Sequence, residues 1–175
     1  MPQPSPEKPN TALALFKLAL FTFFVPGTVT VWAPRYFFRG AYAAEILENP
    51  ASLAGGLLLL SLGVAGYLWC GFDFAFAGHG TPAPIDPPTL LVVRGLYRYA
   101  RNPMYISVLF VLFGESALFR SWTLCRYALV FWAGFHLFVL LYEEPTLRDK
   151  FGASYEDYCK RVNRWLPRPP RSSAP

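Results

Sequence analysis

Charged residues are scarce in this sequence. They make up 15% of its 175 residues, whereas 54% are hydrophobic. A soluble domain of this size usually carries about 25% charged residues. Because the apolar residues also cluster in long blocks, the composition argues against an ordinary soluble domain and predicts an integral membrane protein built from apolar helices.

Cysteine and histidine are also scarce, which limits the kinds of site that we expect. The three cysteines lie far apart, and no CxxC or Cys/His spacing occurs. We therefore expect neither a disulfide framework nor a metal site. The basic residues lie in short connecting segments and at the C-terminus instead of forming a stripe on a soluble fold, so we expect no nucleic-acid partner.

A secretory signal peptide is not evident at the start of the chain. Residues 1–10 are proline-rich and polar, with no charged region leading to a small-residue cleavage site. We predict that these ten residues are disordered and that the first apolar block remains as a membrane-spanning helix.

Four apolar blocks predict about four transmembrane helices, since a helix needs about 20 apolar residues to cross a bilayer. Glycines in the second block could let another helix approach closely. The third block is short, and the two residues Arg120 and Ser121 separate it from the fourth, which predicts a tight helical hairpin. The connector 33–50 is predicted to be an interfacial loop, and Gly78 to Pro88 is predicted to be a proline-rich loop. The predicted spans are residues 11–32, 53–76, 104–119 and 122–142.

The chain becomes polar after the fourth block. Pro145 suits the first turn of a new helix, and Tyr155, Tyr158 and Val162 would share one helical face with basic residues around them. We predict an amphipathic helix at the membrane surface over about residues 145–163. The fold class is therefore an all-α integral membrane protein. It forms a single domain over residues 11–167, followed by a disordered tail, 168–175.

The distribution of basic residues predicts the orientation in the membrane. With four crossings, the N-terminus, the connector between the second and third helices and the C-terminus share one side. That side carries 12 of the 16 lysines and arginines, and the opposite side carries 4. The positive-inside rule then places both termini in the cytoplasm.

Four short motifs suggest chemistry on that cytoplasmic side. The middle connector contains Gly-Leu-Tyr-Arg-Tyr-Ala-Arg-Asn-Pro-Met-Tyr at residues 95–105. The pair Glu143-Glu144 follows the fourth span, and Phe-Gly-x-x-Tyr-x-x-Tyr follows at residues 151–158, before Arg-Trp-Leu-Pro at residues 164–167. Each motif alone is a weak signal, but their order around a helical hairpin is specific.

Together these motifs resemble the isoprenylcysteine carboxyl methyltransferase and phospholipid methyltransferase superfamily of membrane enzymes. The resemblance extends over roughly Gly78 to Pro167, and the Gly-Thr-Pro-x-Pro sequence at residues 80–84 is similar to that of the bacterial branch. It implies a methyltransferase in a bacterial inner membrane that binds S-adenosyl-L-methionine at the cytosolic face. No glycine-rich strand-to-helix loop is present, so the soluble methyltransferase fold is not implied.

The resemblance also implies residue roles. We assign possible catalytic roles to Arg101, Glu143 and Glu144. A histidine within a span is a functional candidate, so His136 joins the cofactor-binding set, although a buried, hydrogen-bonded histidine is an equal alternative. The predicted cofactor-binding residues are Gly95, Tyr97, Arg101, Asn102, Pro103, Tyr105, His136, Glu143, Glu144 and Tyr155.

Elementary chemistry is compatible with these roles. A carboxylate suits the cofactor's ammonium group or ribose diol, and an arginine suits its carboxylate. Tyrosines offer flat faces to adenine and to the sulfonium. The acceptor is expected to be a lipophilic molecule from the bilayer, with either a prenylcysteine-like carboxylate or a phospholipid amine. An amine must first lose a proton, which Glu143, Glu144 or His136 could accept.

Other interpretations remain open from the sequence. Asn102 stands where eukaryotic isoprenylcysteine enzymes generally have histidine, so a direct catalytic role is doubtful there. Arg94 and Arg98 could be membrane anchors, and Asp73 and Glu115 could be interfacial. The rival functions are a membrane reductase that resembles sterol reductases and binds NADPH, and a non-catalytic helical protein. The oligomeric state is left open.

Overall fold

Every regular element in the described part of the chain is helical. The computed structural model describes residues 11–43, 48–74 and 91–169. Its helices are α1 (Thr11–Phe24), α2 (Ala33–Phe37), α3 (Pro50–Asp73), α4 (Pro103–Leu118), α5 (Trp122–Phe138), α6 (Glu144–Phe151) and α7 (Ala153–Arg161). The predicted all-α class is confirmed. The predictions for residues 1–10, for the loop 78–88 and for most of the tail lie outside the described residues.

Helix length and apolar composition support an integral membrane protein. Three helical stretches are long and apolar enough to cross a bilayer: Leu15–Phe37, Pro50–Asp73 and Trp122–Phe151. The helix of the third predicted block, α4, is also apolar but has only 16 residues. Its length is therefore roughly 24 Å, against a hydrocarbon core of about 30 Å.

The first span is longer than the sequence suggested. Beyond Pro26 and Gly27 the chain continues as a π-helical turn, Thr28–Trp32, and then as α2. Residues 33–37, which were predicted to belong to the interfacial connector, are therefore helical. A proline lacks the amide hydrogen of a regular helical turn, and a local π turn is one way to continue the helix past it.

Glycines bring α3 and α4 into direct backbone contact. A Cβ atom on Gly56 would lie 2.5 Å from Leu118 Cγ, and one on Gly63 would lie 2.7 Å from the Ser107 carbonyl oxygen. The start of α3 thus packs against the end of α4, so the two helices are antiparallel. This close approach agrees with the expectation from the glycines of the second block.

The fourth span does not end where it was predicted to end. α5 passes through a π-helical turn, Val139–Glu143, directly into α6, so the prediction that Pro145 starts a separate helix is wrong. The wider π turn precedes the proline and lets the helix continue through it. The predicted amphipathic segment 145–163 forms α6 and α7, and the break between them lies at Gly152, the glycine expected from the sequence to end the first piece, which has a φ of 51°.

Polar side chains mark the two ends of the bundle. At one end, Asp73 closes α3 and forms an ion pair with Arg94, with Asp73 Oδ1 2.8 Å from Arg94 Nε. At the other end, the buried Glu115 carboxylate near the end of α4 accepts hydrogen bonds from Arg35 Nη1 at 3.1 Å and Tyr42 Oη at 3.0 Å. All four predicted motifs lie at the Asp73 end.

Candidate functional site

A glycine with a positive φ begins the first motif. Gly95 has a φ of 53°, and a Cβ atom there would lie 2.0 Å from Asp73 Oδ2 and 2.7 Å from Trp69 Nε1. At this position a residue with a side chain would be strained by the positive φ, and its side chain would also clash with the end of α3. Gly95 was predicted to bind the cofactor. In the structure the absence of a side chain lets the motif start against the spanning helix, and the cofactor contact of Gly95 stays a prediction.

The C-terminal segment is bonded along the first motif. Tyr158 Oη donates to the Tyr97 carbonyl at 2.7 Å, the Arg101 amide donates to the Asn163 carbonyl at 2.9 Å, and the Arg168 amide donates to the Tyr99 carbonyl at 2.9 Å. Arg168 was predicted to belong to the disordered tail, yet its backbone is paired. Burial raises the pKa of Tyr158 above its usual range, so its phenol stays a neutral donor.

Asn102 joins the same network. It is buried, it precedes Pro103 at the start of α4, and its Nδ2 donates to the Arg164 carbonyl at 3.1 Å. Pro103 occupies the first helical position, where a missing amide hydrogen costs nothing. These contacts agree with the expectation that Asn102 has no direct acid–base role, and they assign it to holding the C-terminal segment.

Glu144 is buried at the centre of three guanidinium groups. Its side chain is 3% exposed. Arg164 Nε and Nη2 donate to its two oxygens at 2.6 and 3.0 Å, Arg101 Nη2 lies 3.2 Å from Oε1 and Arg148 Nη2 lies 3.3 Å from Oε2. The hydrogen bond to Glu144 raises the pKa of Arg164. Both carboxylate oxygens are occupied, so Glu144 mainly organises the surrounding cations.

Glu143 has a different environment, although it is the adjacent residue. Its Oε2 accepts a hydrogen bond from Tyr105 Oη at 2.9 Å. In the ranges 11–43, 48–74 and 91–169, the ion pairs of the glutamate pair involve Glu144 and not Glu143. Glu143 therefore places in the site a carboxyl group that forms no ion pair with a guanidinium in these ranges.

Arg101 carries an unsatisfied donor. Its side chain is 11% exposed, its Nη1 contacts the Cys159 thiol, and its buried Nε has no hydrogen-bond partner. A buried donor without a partner costs about 1–3 kcal/mol. A polar ligand atom at this place would satisfy it.

These side chains surround one end of a cavity of about 660 Å³. This volume is within the range of small-molecule sites. The opposite end of the cavity is apolar and lies between the first and the last spans. Seven of the predicted site residues line it: Tyr97, Arg101, Asn102, Tyr105, Glu143, Glu144 and Tyr155. The remaining three, Gly95, Pro103 and His136, are not among its lining residues.

The His136 side chain pairs with tryptophans. Its Nδ1 accepts a hydrogen bond from Trp165 Nε1 at 3.0 Å, and its ring stacks on Trp132 with centroids 5.9 Å apart. This arrangement matches the alternative of a hydrogen-bonded structural histidine, and the cofactor contact at His136 stays a prediction.

Two features of the site, the role of Arg164 and the apolar cavity wall, were not predicted from the sequence. Arg164 belongs to the Arg-Trp-Leu-Pro motif but was given no site role, and it forms the two-point contact with Glu144. The apolar cavity wall also went unnoticed, because its residues resemble any lipid-facing surface in sequence. The Arg-Trp-Leu-Pro segment at residues 164–167 was the available signal for Arg164.

Comparisons with known proteins identify the family of the chain. A family model described as phospholipid methyltransferase matches residues 51–154, which is more than half of the chain. No solved structure matches the chain significantly.

Curated relatives match a shorter region of the chain. A protein-S-isoprenylcysteine O-methyltransferase of Schizosaccharomyces pombe is 34% identical over 79 residues, which cover 45% of this chain and 33% of that protein. A probable protein-S-isoprenylcysteine O-methyltransferase of Oryza sativa subsp. indica is 33% identical over 78 residues, covering 44% and 40%. The chain thus matches well under half of the length of these relatives. On the strength of the family match, the chain belongs to the phospholipid methyltransferase family.

Proposed function

We propose that the protein is a membrane methyltransferase that uses S-adenosyl-L-methionine to methylate a lipophilic acceptor. The observation that carries this proposal is the single cavity whose polar end holds Arg101 and Glu143 and whose other end is apolar and set between spanning helices. Such a cavity can hold a charged cofactor and a lipid-like acceptor side by side. Family membership supports the same chemistry.

The residues at the polar end fit the proposed cofactor. The Glu143 carboxylate suits its ammonium group or ribose diol, and the unpartnered Arg101 Nε suits its carboxylate. The rings of Tyr105 and Tyr155 line the same end and offer faces for adenine. When bound, the cofactor supplies an electrophilic methyl group. The protein's own contribution is to hold the two reactants in line and to exclude water.

The acceptor is a carboxylate or an amine on an apolar tail. A carboxylate is already ionised and needs no base, so Glu143 would serve only the cofactor. An amine must lose a proton, and Glu143 is the lining carboxylate that three arginines do not surround. The curated relatives are isoprenylcysteine O-methyltransferases, which points to a carboxylate acceptor, whereas the name of the family points to a phospholipid.

The rival reductase is less well supported by the electrostatics. NADPH carries several phosphate charges, which proteins usually bind with available arginines. Here Arg101, Arg148 and Arg164 are all directed at the Glu144 carboxylate. Because these arginines are already paired with Glu144, a zwitterionic or cationic cofactor suits the site better than a polyanion.

We further propose that the site faces the cytoplasm of a bacterial inner membrane. The 12 to 4 distribution of basic residues supports this orientation. The Asp73 end of the bundle, where the cavity has its charged residues, is the side with the larger basic count.

Calorimetry on the purified protein in lipid nanodiscs tests the proposal. We expect S-adenosyl-L-methionine and its demethylated product to bind, and NADPH not to bind. Glu143→Gln should weaken cofactor binding by about tenfold, the order expected for one charge-assisted contact. Glu156→Gln, on the exposed face of α7, is the matched control and should leave binding unchanged. Binding of NADPH alone would overturn the proposal.

A second measurement identifies the acceptor. The protein is incubated with isotope-labelled cofactor and a lipid extract or prenylcysteine compounds, and the products are analysed by mass spectrometry. Label that mild base releases indicates a methyl ester, whereas base-stable label on a phospholipid head indicates N-methylation. Cofactor binding without transfer to any lipophilic molecule would overturn the acceptor class.

A further inference from the structure

One face of α5 forms the apolar wall of the cavity. Val130, Gly134 and Phe138 are spaced four residues apart and therefore lie on the same side of the helix. Phe21 and Val25 of the first span also line the cavity. Four of these five residues have large apolar side chains, so Gly134 is the open position in the wall.

Gly134 differs from the glycines that pack helices together. A Cβ atom on Gly56, Gly63 or Gly114 would lie within 3.0 Å of a neighbouring helix, whereas one on Gly134 would meet nothing within 4 Å. The missing side chain at Gly134 therefore does not serve helix packing. Gly134 is itself among the residues that line the cavity, so a side chain there would border the cavity.

The position of Gly134 along the helix places it away from the reacting groups. It lies nine residues before Glu143 in one continuous helical stretch. At 1.5 Å per residue this separation is roughly 13 Å. A ligand whose polar head lies beside Glu143 would therefore reach Gly134 only with its apolar tail.

We propose that Gly134 determines the length and bulk of the apolar tail that the methyl acceptor can have. This inference rests on the proposed function, in which the acceptor's tail fills the apolar end of the cavity. A side chain at residue 134 would occupy the volume that the distal part of the tail needs. The head would still reach the polar end, so shorter acceptors would remain substrates.

The test uses Gly134→Ala and Gly134→Leu in nanodiscs, with acceptors that share one head group and differ in tail length. Each methylene group that is excluded from an apolar site costs about fourfold in affinity. We expect Gly134→Leu to lower kcat/KM for the longest tails by tenfold or more and to change it less than twofold for the shortest. Gly134→Ala should give a smaller shift in the same direction.

Gly55→Leu is the matched control. Gly55 lies in α3, a Cβ atom there also meets nothing within 4 Å, and the residue is not among those that line the cavity. The same bulk is thus added to a spanning helix away from the site, and the preference for tail length should stay as in the wild type. Both substitutions replace a helical glycine in open space, so neither should prevent folding.

Two measurements, methyl transfer and lipid binding, distinguish failure of this inference from failure of the proposed function. Wild-type cofactor binding and methyl transfer with an unchanged tail preference in Gly134→Leu would overturn the inference and leave the function standing. If the wild type transfers no methyl group, the proposed function is wrong. The inference is then judged by the binding of fluorescent lipids of graded length. Equal binding of all lengths by wild type and variant would overturn it.

Discussion

Arg164 donates two hydrogen bonds to the Glu144 carboxylate, from Nε to Oε1 at 2.6 Å and from Nη2 to Oε2 at 3.0 Å. The two residues are twenty positions apart, with Gly152 and α7 between them. This contact fastens the segment after α7 to the start of α6. The same segment is bonded to the first motif through Asn163, so the pair holds the polar end of the cavity together.

Arg164→Lys should loosen this closure although it keeps the charge. A lysine cannot reproduce the two parallel hydrogen bonds of a guanidinium, and hydrogen bonds to charged groups contribute about 1.5–3 kcal/mol. We expect a lower thermal unfolding midpoint in detergent and faster proteolysis after residue 152. Arg161→Lys, at an exposed position of α7, is the control and should unfold like the wild type.

We expect the two adjacent glutamates to have different roles: Glu144 stabilises the fold and Glu143 binds the cofactor. Glu144→Gln removes the charge that three arginines share, so we expect a clear loss of thermal stability. Glu143→Gln removes a charge without a guanidinium partner in the described ranges, so stability should change little while cofactor affinity falls. Unfolding curves and calorimetry on both variants check this. Equal effects of the two substitutions on both measurements would contradict the assignment.

Gly95→Ala should disrupt the start of the first motif. The residue would have to keep a φ of 53° with its Cβ atom 2.0 Å from Asp73 Oδ2, and backbone strain of this kind costs about 1–3 kcal/mol before the clash is counted. Gly40→Ala is the control, because a Cβ atom there meets nothing within 4 Å. Thermal unfolding should show a large decrease for the first variant and none for the second.

The orientation in the membrane can be tested with single cysteines. With the three native cysteines replaced by alanine or serine, Gly40→Cys should react with a membrane-impermeant thiol reagent added outside intact bacterial cells. Ser154→Cys, at an exposed position of α7, should react only after the cells are opened. The reverse pattern would place the cavity's polar end on the outer side.

Composition and motif order were enough to predict the class of fold and the neighbourhood of the site. Long apolar blocks predict helices, because a helix satisfies its backbone hydrogen bonds internally in a bilayer. The positions of α3, α4 and α5 follow those blocks within a few residues. The sequence could not predict the helix through Pro145, because whether a proline breaks a helix depends on the π turn before it.

The chain by itself determined that Arg101, Tyr105 and the glutamate pair lie at one end of a helical bundle, since a tight hairpin brings both of its outer ends to the same side. Only the tertiary structure decided that Glu144 is enclosed by arginines while Glu143 is not, and that His136 pairs with Trp165. Adjacent residues on a helix point in directions about 100° apart. Their environments therefore depend on what packs against each side, which a linear sequence does not specify.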